Sequence, residues 1–417
     1  MMRTTVSLWI CFFISLVVLS VVTPLSGQFA YVTNTSSGDV SGYTINTING
    51  ALTPIPGSPF SAGLFPTSVA VDPTGKFIYI VNNGDNNVSG FTINAANGAL
   101  TPIPGSPFAA AVGPSFVAVD PTGKFAYVSN SGSTANGQGP VSGYTINATT
   151  GALNPIPGSP FAAGGFPDSL AVDPTGKFAY VSNSGTAENE FLGGVSGYTI
   201  NATSGALTPL PGSPFAAGTV PTFAAVDPTG KFAYVVNSGA AGNLVPDVSG
   251  YTINATSGVL TPIPGSPFAT ESFPLSMAVD PTGRFAYVVN NASCSVSGYT
   301  INANNGALTP IPGSPFTAGA SPIFGAVDPT GKFVYVTDIG TNAVLGYTIN
   351  TTSGALTPIA GSPFGAGDFP SSLATTPLLI GPPSKTNQCK NGGWRGFTIP
   401  RKFKSQGDCV GFVNTGK

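Results

Sequence analysis

The chain contains no histidine, and charged residues make up only 7% of it. The side chain that most often serves as metal ligand and as general base near neutral pH is therefore missing. Four cysteines form no Cys-x-x-Cys pair, and carboxylates are few, which excludes a zinc or redox centre. Helical periodicity is missing as well: no stretch repeats its apolar residues at the three-to-four spacing of an amphipathic helix. Low charge with 55 Gly and 40 Pro is a composition that low-complexity segments share. Here 41% of the residues are hydrophobic, and Phe, Tyr, Val and Ile recur at regular intervals. That combination reads as a turn-rich, all-β protein with a core.

Long apolar runs are absent too, with one exception. Residues 1–27, "MMRTTVSLWICFFISLVVLSVVTPLSG", carry one positive charge, then an apolar run from Val6 to Val22, then small and turn residues. That order predicts a secretory signal peptide cleaved near Gly27, with an uncleaved membrane anchor as the other reading. The expected location is secreted, periplasmic or at the cell surface, with no membrane span after cleavage. Export implies an oxidising compartment. Of the cysteines beyond the signal, Cys389 and Cys409 bracket one short segment and are expected to pair. Cys294 is left as a free thiol or a cross-link between chains.

What is present is a repeat. "DPTGKFAYV" stands at 120–128, 173–181 and 227–235, and near-copies stand at 72–80, 280–288 and 328–336. A truncated copy, "FAYVTN", begins at Phe29. The Phe of each copy falls at 29, 77, 125, 178, 232, 285 and 333. A period near fifty belongs to propellers or solenoids. Each unit holds four strand signals, such as "SFVAVD" (115–120), "KFAYVSN" (124–130), "VSGYTIN" (141–147) and "GALNPIPGSPF" (151–161). Asp-Pro-Thr-Gly makes the turn between the first two: Pro presets φ, Asp caps, and Gly takes a positive φ. The expected fold is all-β: a seven-bladed β-propeller over 28–377 with four antiparallel strands per blade. The missing "DPTGK" of the first copy also has a reason. The chain enters a blade at its second strand and returns the first strand, "PSSLATTP" (370–377), at the end. The N- and C-terminal strands then share one blade and close the ring, leaving no open edge. Residues 378–388 read as a linker, and 389–417 as a small basic Cys-bracketed segment.

"FAYVTN", "FAYVSN" and "FAYVVN", followed by "VSGYTIN" and "GALTPIPGSPF", resemble the YVTN-type propeller repeats of secreted bacterial proteins. Those in turn resemble lactonase-type seven-bladed propellers, whose best-known members hydrolyse sugar lactones. The resemblance covers about 29–377 and marks fold more specifically than activity. It implies His, Glu and Arg around the central mouth, and this chain has no histidine to place there. The segment after residue 388 resembles short Cys-bracketed ends of other exported bacterial proteins.

Strand connectivity sorts the remaining candidates by face. "PTGKF" is no phosphate loop: it lacks the upstream Gly, the Ser or Thr after Lys and the strand-to-helix setting. Asp72, Asp120, Asp173, Asp227, Asp280 and Asp328 each precede a Lys or Arg by four residues and read as exposed structural pairs. On the opposite face, Asp39, Asp85, Glu188, Glu190, Asp247 and Asp338 fall in or beside variable loops. Asp168, Glu271 and Asp368 fall in blade connectors, and no Lys or Arg accompanies any of these acids. The loop acids read either as a cation-attracting face for Ca²⁺ or a basic partner, or as solvated acids that keep a weakly charged protein soluble. Their scatter over several blades favours the second reading, so no cofactor is expected and Ca²⁺ is the one candidate. Phe65, Phe166, Phe273 and Phe369, each before a Pro, read as packing between blades, or as platforms for a sugar or polymer. Tyr43, Tyr144, Tyr198, Tyr251, Tyr299 and Tyr347 read as blade packing.

At the channel openings only Asp168 ionises. It is the one catalytic candidate, with no cation nearby for an oxyanion. The resulting expectation is a monomeric binding, scaffold or cell-surface interaction module, more a non-enzyme than an enzyme. Its variable-loop face would take a protein or polysaccharide, not nucleic acid. A lactonase-like hydrolase of the 6-phosphogluconolactonase-type fold is the alternative.

Overall fold

The computed structural model describes residues 28–132, 138–185, 192–239 and 245–378. The expected signal peptide, the linker beyond residue 378 and the segment with Cys389 and Cys409 lie outside them, as do Glu188 and Glu190. Every described element is a strand, and every strand pairing is antiparallel. The innermost strands of the seven units are Pro66–Val71, Pro114–Val119, Phe161–Val172, Pro221–Val226, Pro274–Val279, Pro322–Val327 and Pro370–Thr375. Each packs against the next, and Pro370–Thr375 packs against Pro66–Val71, so the series closes into a ring. We number the blades from the one containing Phe29–Asn34.

Blade one is shared by the two ends of the propeller. Phe29–Asn34 pairs on one side with Asp39–Ile45 and on the other with Pro370–Thr375, in the register Ala30↔Thr375, Tyr31↔Ala374, Val32↔Leu373. The Phe29 N–H donates to Thr376 Oγ1 and the Thr376 N–H donates to the Phe29 carbonyl, which finishes the seam. The outer strand departs from expectation. It is two short pieces in each blade, Leu52–Pro54 and Phe60–Ser61 in blade one, because the Gly-Ser-Pro between them interrupts the ladder. Blades three and four also run together. Phe161–Val172 begins on the outer edge of blade three, against Gln138–Ile146, and continues as the inner strand of blade four.

The first six residues of the second strand are buried in every blade. Neighbouring blades cover both of its faces, so it reads as a continuous apolar run and not as an alternation. Tyr31 and its repeats tie the ring together. Tyr31 Oη donates to the Gly98 carbonyl in blade two, and the same bond recurs from Tyr79, Tyr127, Tyr180, Tyr234 and Tyr287. Tyr335 of blade seven closes the circuit on the Gly50 carbonyl of blade one at 2.7 Å. Gly50 must be glycine: its φ is +76°, and a Cβ there would stand 2.5 Å from the Phe333 ring. The second tyrosine series points backwards, as Tyr144 Oη donates to the Ala109 carbonyl of blade two at 2.7 Å. Both series are blade packing.

The turn aspartates correct the sequence reading. Asp72 is 2% exposed, and its carboxylate faces its own turn, not Lys76. One oxygen accepts from the Lys76 and Phe77 N–H groups at 2.7 Å, and the other from the Thr74 N–H and hydroxyl. The same set recurs at Asp120, Asp173, Asp227, Asp280 and Asp328. The motif invests its acid in capping a hairpin, which requires a short carboxylate and has no use for the Lys side chain.

Around the channel, the second residue after each inner-strand proline alternates between Ser and Phe: Ser68, Phe116, Ser169, Phe223, Ser276, Phe324, Ser372. Ser68 Oγ accepts from the Val117 N–H, Ser169 from Ala224 and Ser276 from Gly325, each in the following blade. Seven is odd, so the alternation cannot close, and Ser372 meets Ser68 at the seam. Ser372 Oγ is buried there without a hydrogen-bond partner. Removing an unsatisfied buried hydroxyl relieves its desolvation cost, whereas removing a satisfied one orphans its donor. Ser372→Ala should therefore stabilise the protein by about 1 kcal/mol, and Ser276→Ala should destabilise it by about the same amount. Urea denaturation of the two variants checks the opposite signs.

Candidate active site

The channel mouth is built from one position repeated seven times. In every blade the ladder between the first and second strands slips just after the inner-strand proline. Such a bulge bends the strand and re-aims the extra side chain. The seven residues that follow the prolines are Thr67, Ser115, Asp168, Thr222, Leu275, Ile323 and Ser371, and all seven line a single cavity of about 320 Å³. This is at the small end of ligand-site volumes.

Its floor comes from the alternating layer below. Phe116, Phe223 and Phe324, from blades three, five and seven, meet one another across the channel. Their centroid distances are 5.6 Å, 5.8 Å and 6.4 Å, and two of the three contacts are edge-to-face. The three rings block the channel and leave a cup with an aromatic base.

The wall is polar, but most of its donors are committed. Thr35, Thr67 and Ser371 give their hydroxyl hydrogens to backbone carbonyls of blades two and three, and Ser115 and Thr222 bond backbone in the same way. Asn83 spends one amide hydrogen on the Pro114 carbonyl at 2.9 Å. Its second, and the Ser169 hydroxyl hydrogen, have no acceptor among the described residues.

Asp168 is the one ionisable side chain on this wall. It is partly buried, and no hydrogen bond or ion pair holds its carboxyl among the described residues. Desolvation alone pushes it up to about 7. A carboxyl that is easier to protonate in the folded than in the unfolded chain binds more protons when folded. Its contribution to stability is therefore complete below the unfolded value near 3.8 and is lost as pH rises through about 7. Asp168→Asn should melt above the wild type at pH 8, by roughly 2–4 kcal/mol of stability. The gap should vanish near pH 4. Parallel melting curves at the two pH values check it.

The other candidates do not assemble. Asp39 accepts from Asn34 at 2.6 Å, Asp85 from the Leu64 N–H at 2.7 Å and Asp247 from Asn237 at 2.7 Å. Asp338 is buried and accepts from the Ala320 and Ser321 N–H groups and the Thr341 hydroxyl. Each acid organises its own loop, and among the described residues no group of three potential ligands could hold a metal ion. Cys294 is a free, partly buried thiol whose Sγ lies 3.1 Å from the Ala320 carbonyl.

The phenylalanines before the prolines are not the blade packing the sequence suggested. Phe65, Phe273 and Phe369 are 55%, 48% and 40% exposed. They and Phe166 sit at φ between 49° and 60°. For a bulky residue that left-handed conformation costs about 1–2 kcal/mol, and it turns the ring out of the core. The aromatic floor and the bulge ring were missed. Their signal is visible when the seven inner strands are superposed on their Pro, which exposes the alternating Ser/Phe column.

A closed propeller whose mouth holds one partly buried acid over an aromatic floor is the frame of a small-molecule site, not a flat docking face. The chain matches the family described as "Lactonase, 7-bladed beta-propeller" over residues 21–107, 102–220 and 184–370, and it belongs to that family. Among solved structures it is similar to a candidate 6-phosphogluconolactonase from Bacteroides uniformis. Identity is 16%, coverage 84% of this chain and 100% of that one, and the TM-score 0.70. A second candidate 6-phosphogluconolactonase, from Bacteroides fragilis, gives 20%, 85%, 99% and 0.67 in the same terms. A periplasmic gluconolactonase from Pseudomonas aeruginosa gives 16%, 84%, 99% and 0.65. No curated protein matches the chain. Family membership overturns the expectation of a binding, scaffold or interaction module. That expectation counted missing cations and overlooked the cavity.

Proposed function

We propose that the protein is a lactone hydrolase and that Asp168 is its general base. Asp168 carries the reading: it is a lone carboxyl in the mouth of a lactonase-family propeller, raised by burial to about 7. A base poised near the working pH can serve both halves of the reaction, because it can take a proton and return it. Water attacks the lactone carbonyl carbon as Asp168 accepts one of its protons. The ring C–O bond then breaks, and the protonated Asp168 gives the proton to the departing ring oxygen. Lactone and water become a hydroxy acid, and the carboxylate is regenerated. The developing oxyanion needs hydrogen-bond donors, and the cavity lining offers two uncommitted ones, an Asn83 amide hydrogen and the Ser169 hydroxyl. The test is lactone turnover by wild type against Asp168→Asn. Turnover that survives the substitution removes Asp168 from the mechanism.

A further inference from the structure

We infer that, granted the lactone-hydrolase reading on which this rests, the lactone taken is uncharged and bears an apolar substituent. Charge comes first. The propeller's bases are Lys76, Lys124, Lys177, Lys231, Arg284 and Lys332, and every one follows a Pro-Thr-Gly turn. Those turns join the inner to the second strand at the end opposite the bulge ring, a strand's length from Asp168. A phosphorylated or carboxylated lactone needs Arg or Lys beside its anion. Among the described residues no Arg or Lys lines the cup, and such an anion would instead meet the partly buried Asp168 carboxylate, where reduced solvent screening strengthens repulsion between like charges.

Shape and polarity come second. The cup is floored by Phe116, Phe223 and Phe324, and its wall carries Leu275, Ile323 and Phe369. The wall hydroxyls that would recognise a polyol are already bonded to backbone carbonyls. A bare sugar ring would find few free partners and would desolvate its own hydroxyls at a loss. An alkyl or aryl group finds the aromatic floor. Third, the left-handed backbone at Phe65, Phe273 and Phe369 keeps large apolar rings exposed on the face that holds the mouth. Strained backbone that turns apolar groups into water is retained where those groups have a use. Phe369 belongs to both the rim and the cavity, so the apolar surface is continuous from one to the other.

The experiment compares three lactones on the full-length protein at pH 8: δ-decalactone, glucono-δ-lactone and 6-phosphoglucono-δ-lactone, each corrected for spontaneous hydrolysis. We expect kcat/KM for δ-decalactone to exceed that for the phosphorylated lactone by about 100-fold or more. Leu275→Lys should narrow the ratio at least about tenfold by placing a cation in the wall. Preference for the phosphorylated lactone overturns the inference and leaves the hydrolase reading standing. Preference for glucono-δ-lactone overturns the apolar part in the same way. Turnover of none of the three by wild type, with Asp168→Asn indistinguishable from it, removes the hydrolase reading and this inference together.

Discussion

Asp168→Asn is expected to lower kcat/KM for lactone hydrolysis by about 10³-fold, the usual weight of a positioned general base. Asparagine keeps the shape and the polarity but cannot take a proton from water. In the wild type, kcat/KM should rise tenfold per pH unit in acid, reach half its maximum near pH 7 and stay level above. The direction follows from the role: only the ionised carboxylate is a base, and burial delays ionisation to about 7. Hydroxide hydrolyses lactones unaided as pH rises, so the Asp168→Asn protein is the proper blank. A wild-type profile that parallels this blank at every pH would show that Asp168 is a bystander. The same substitution is expected to stabilise the fold at pH 8. Loss of activity with a gain in melting temperature separates a catalytic acid from a structural one, because a structural acid loses both.

The architecture was legible from the chain because each blade repeats the same turn chemistry. The Asp-Pro-Thr-Gly turns, the buried "FAYV" runs and the incomplete first copy together require seven blades and a shared one, and the pairing Val32↔Leu373 is that closure. The role of the turn aspartates was misread because sequence spacing suggests an Asp–Lys pair. The carboxylate of Asp72 turns inward to three N–H groups and a hydroxyl, which only coordinates reveal. Asp168 was found by elimination, as the one ionisable residue at its repeat position. Its surroundings were not, since they come from seven blades at once. Phe116, Phe223 and Phe324 are more than a hundred residues apart at their closest spacing and become neighbours only when the ring closes. Counting cations near Asp168 pointed to a binding module, and it is the family match that overturns that expectation.

Ring closure makes the second large prediction. Deleting residues 370–417 should lower stability by at least about 5 kcal/mol and the melting temperature by about 10 °C or more. Deleting only 379–417 should leave the propeller's melting within a few degrees of the full chain. The longer deletion removes the inner strand of blade one. Leu373, 2% exposed, leaves the core, and Ala30 and Val32, both fully buried, lose the strand that covers them. The N–H and carbonyl groups of Phe29–Asn34 that face that strand lose their partners, and an unpaired edge opens beside the channel. Activity should go with it, because the deletion takes Ser371 out of the cavity wall and leaves Phe369, also of that wall, as a chain end held only by the Thr35 N–H. Supplying 366–378 as a separate peptide should recover part of the lost melting temperature, since the vacated edge has one register and the peptide fits it. If the two truncations melt together, the inner strand of blade one bears no part of the ring's stability, and the shared blade is a seam in name only.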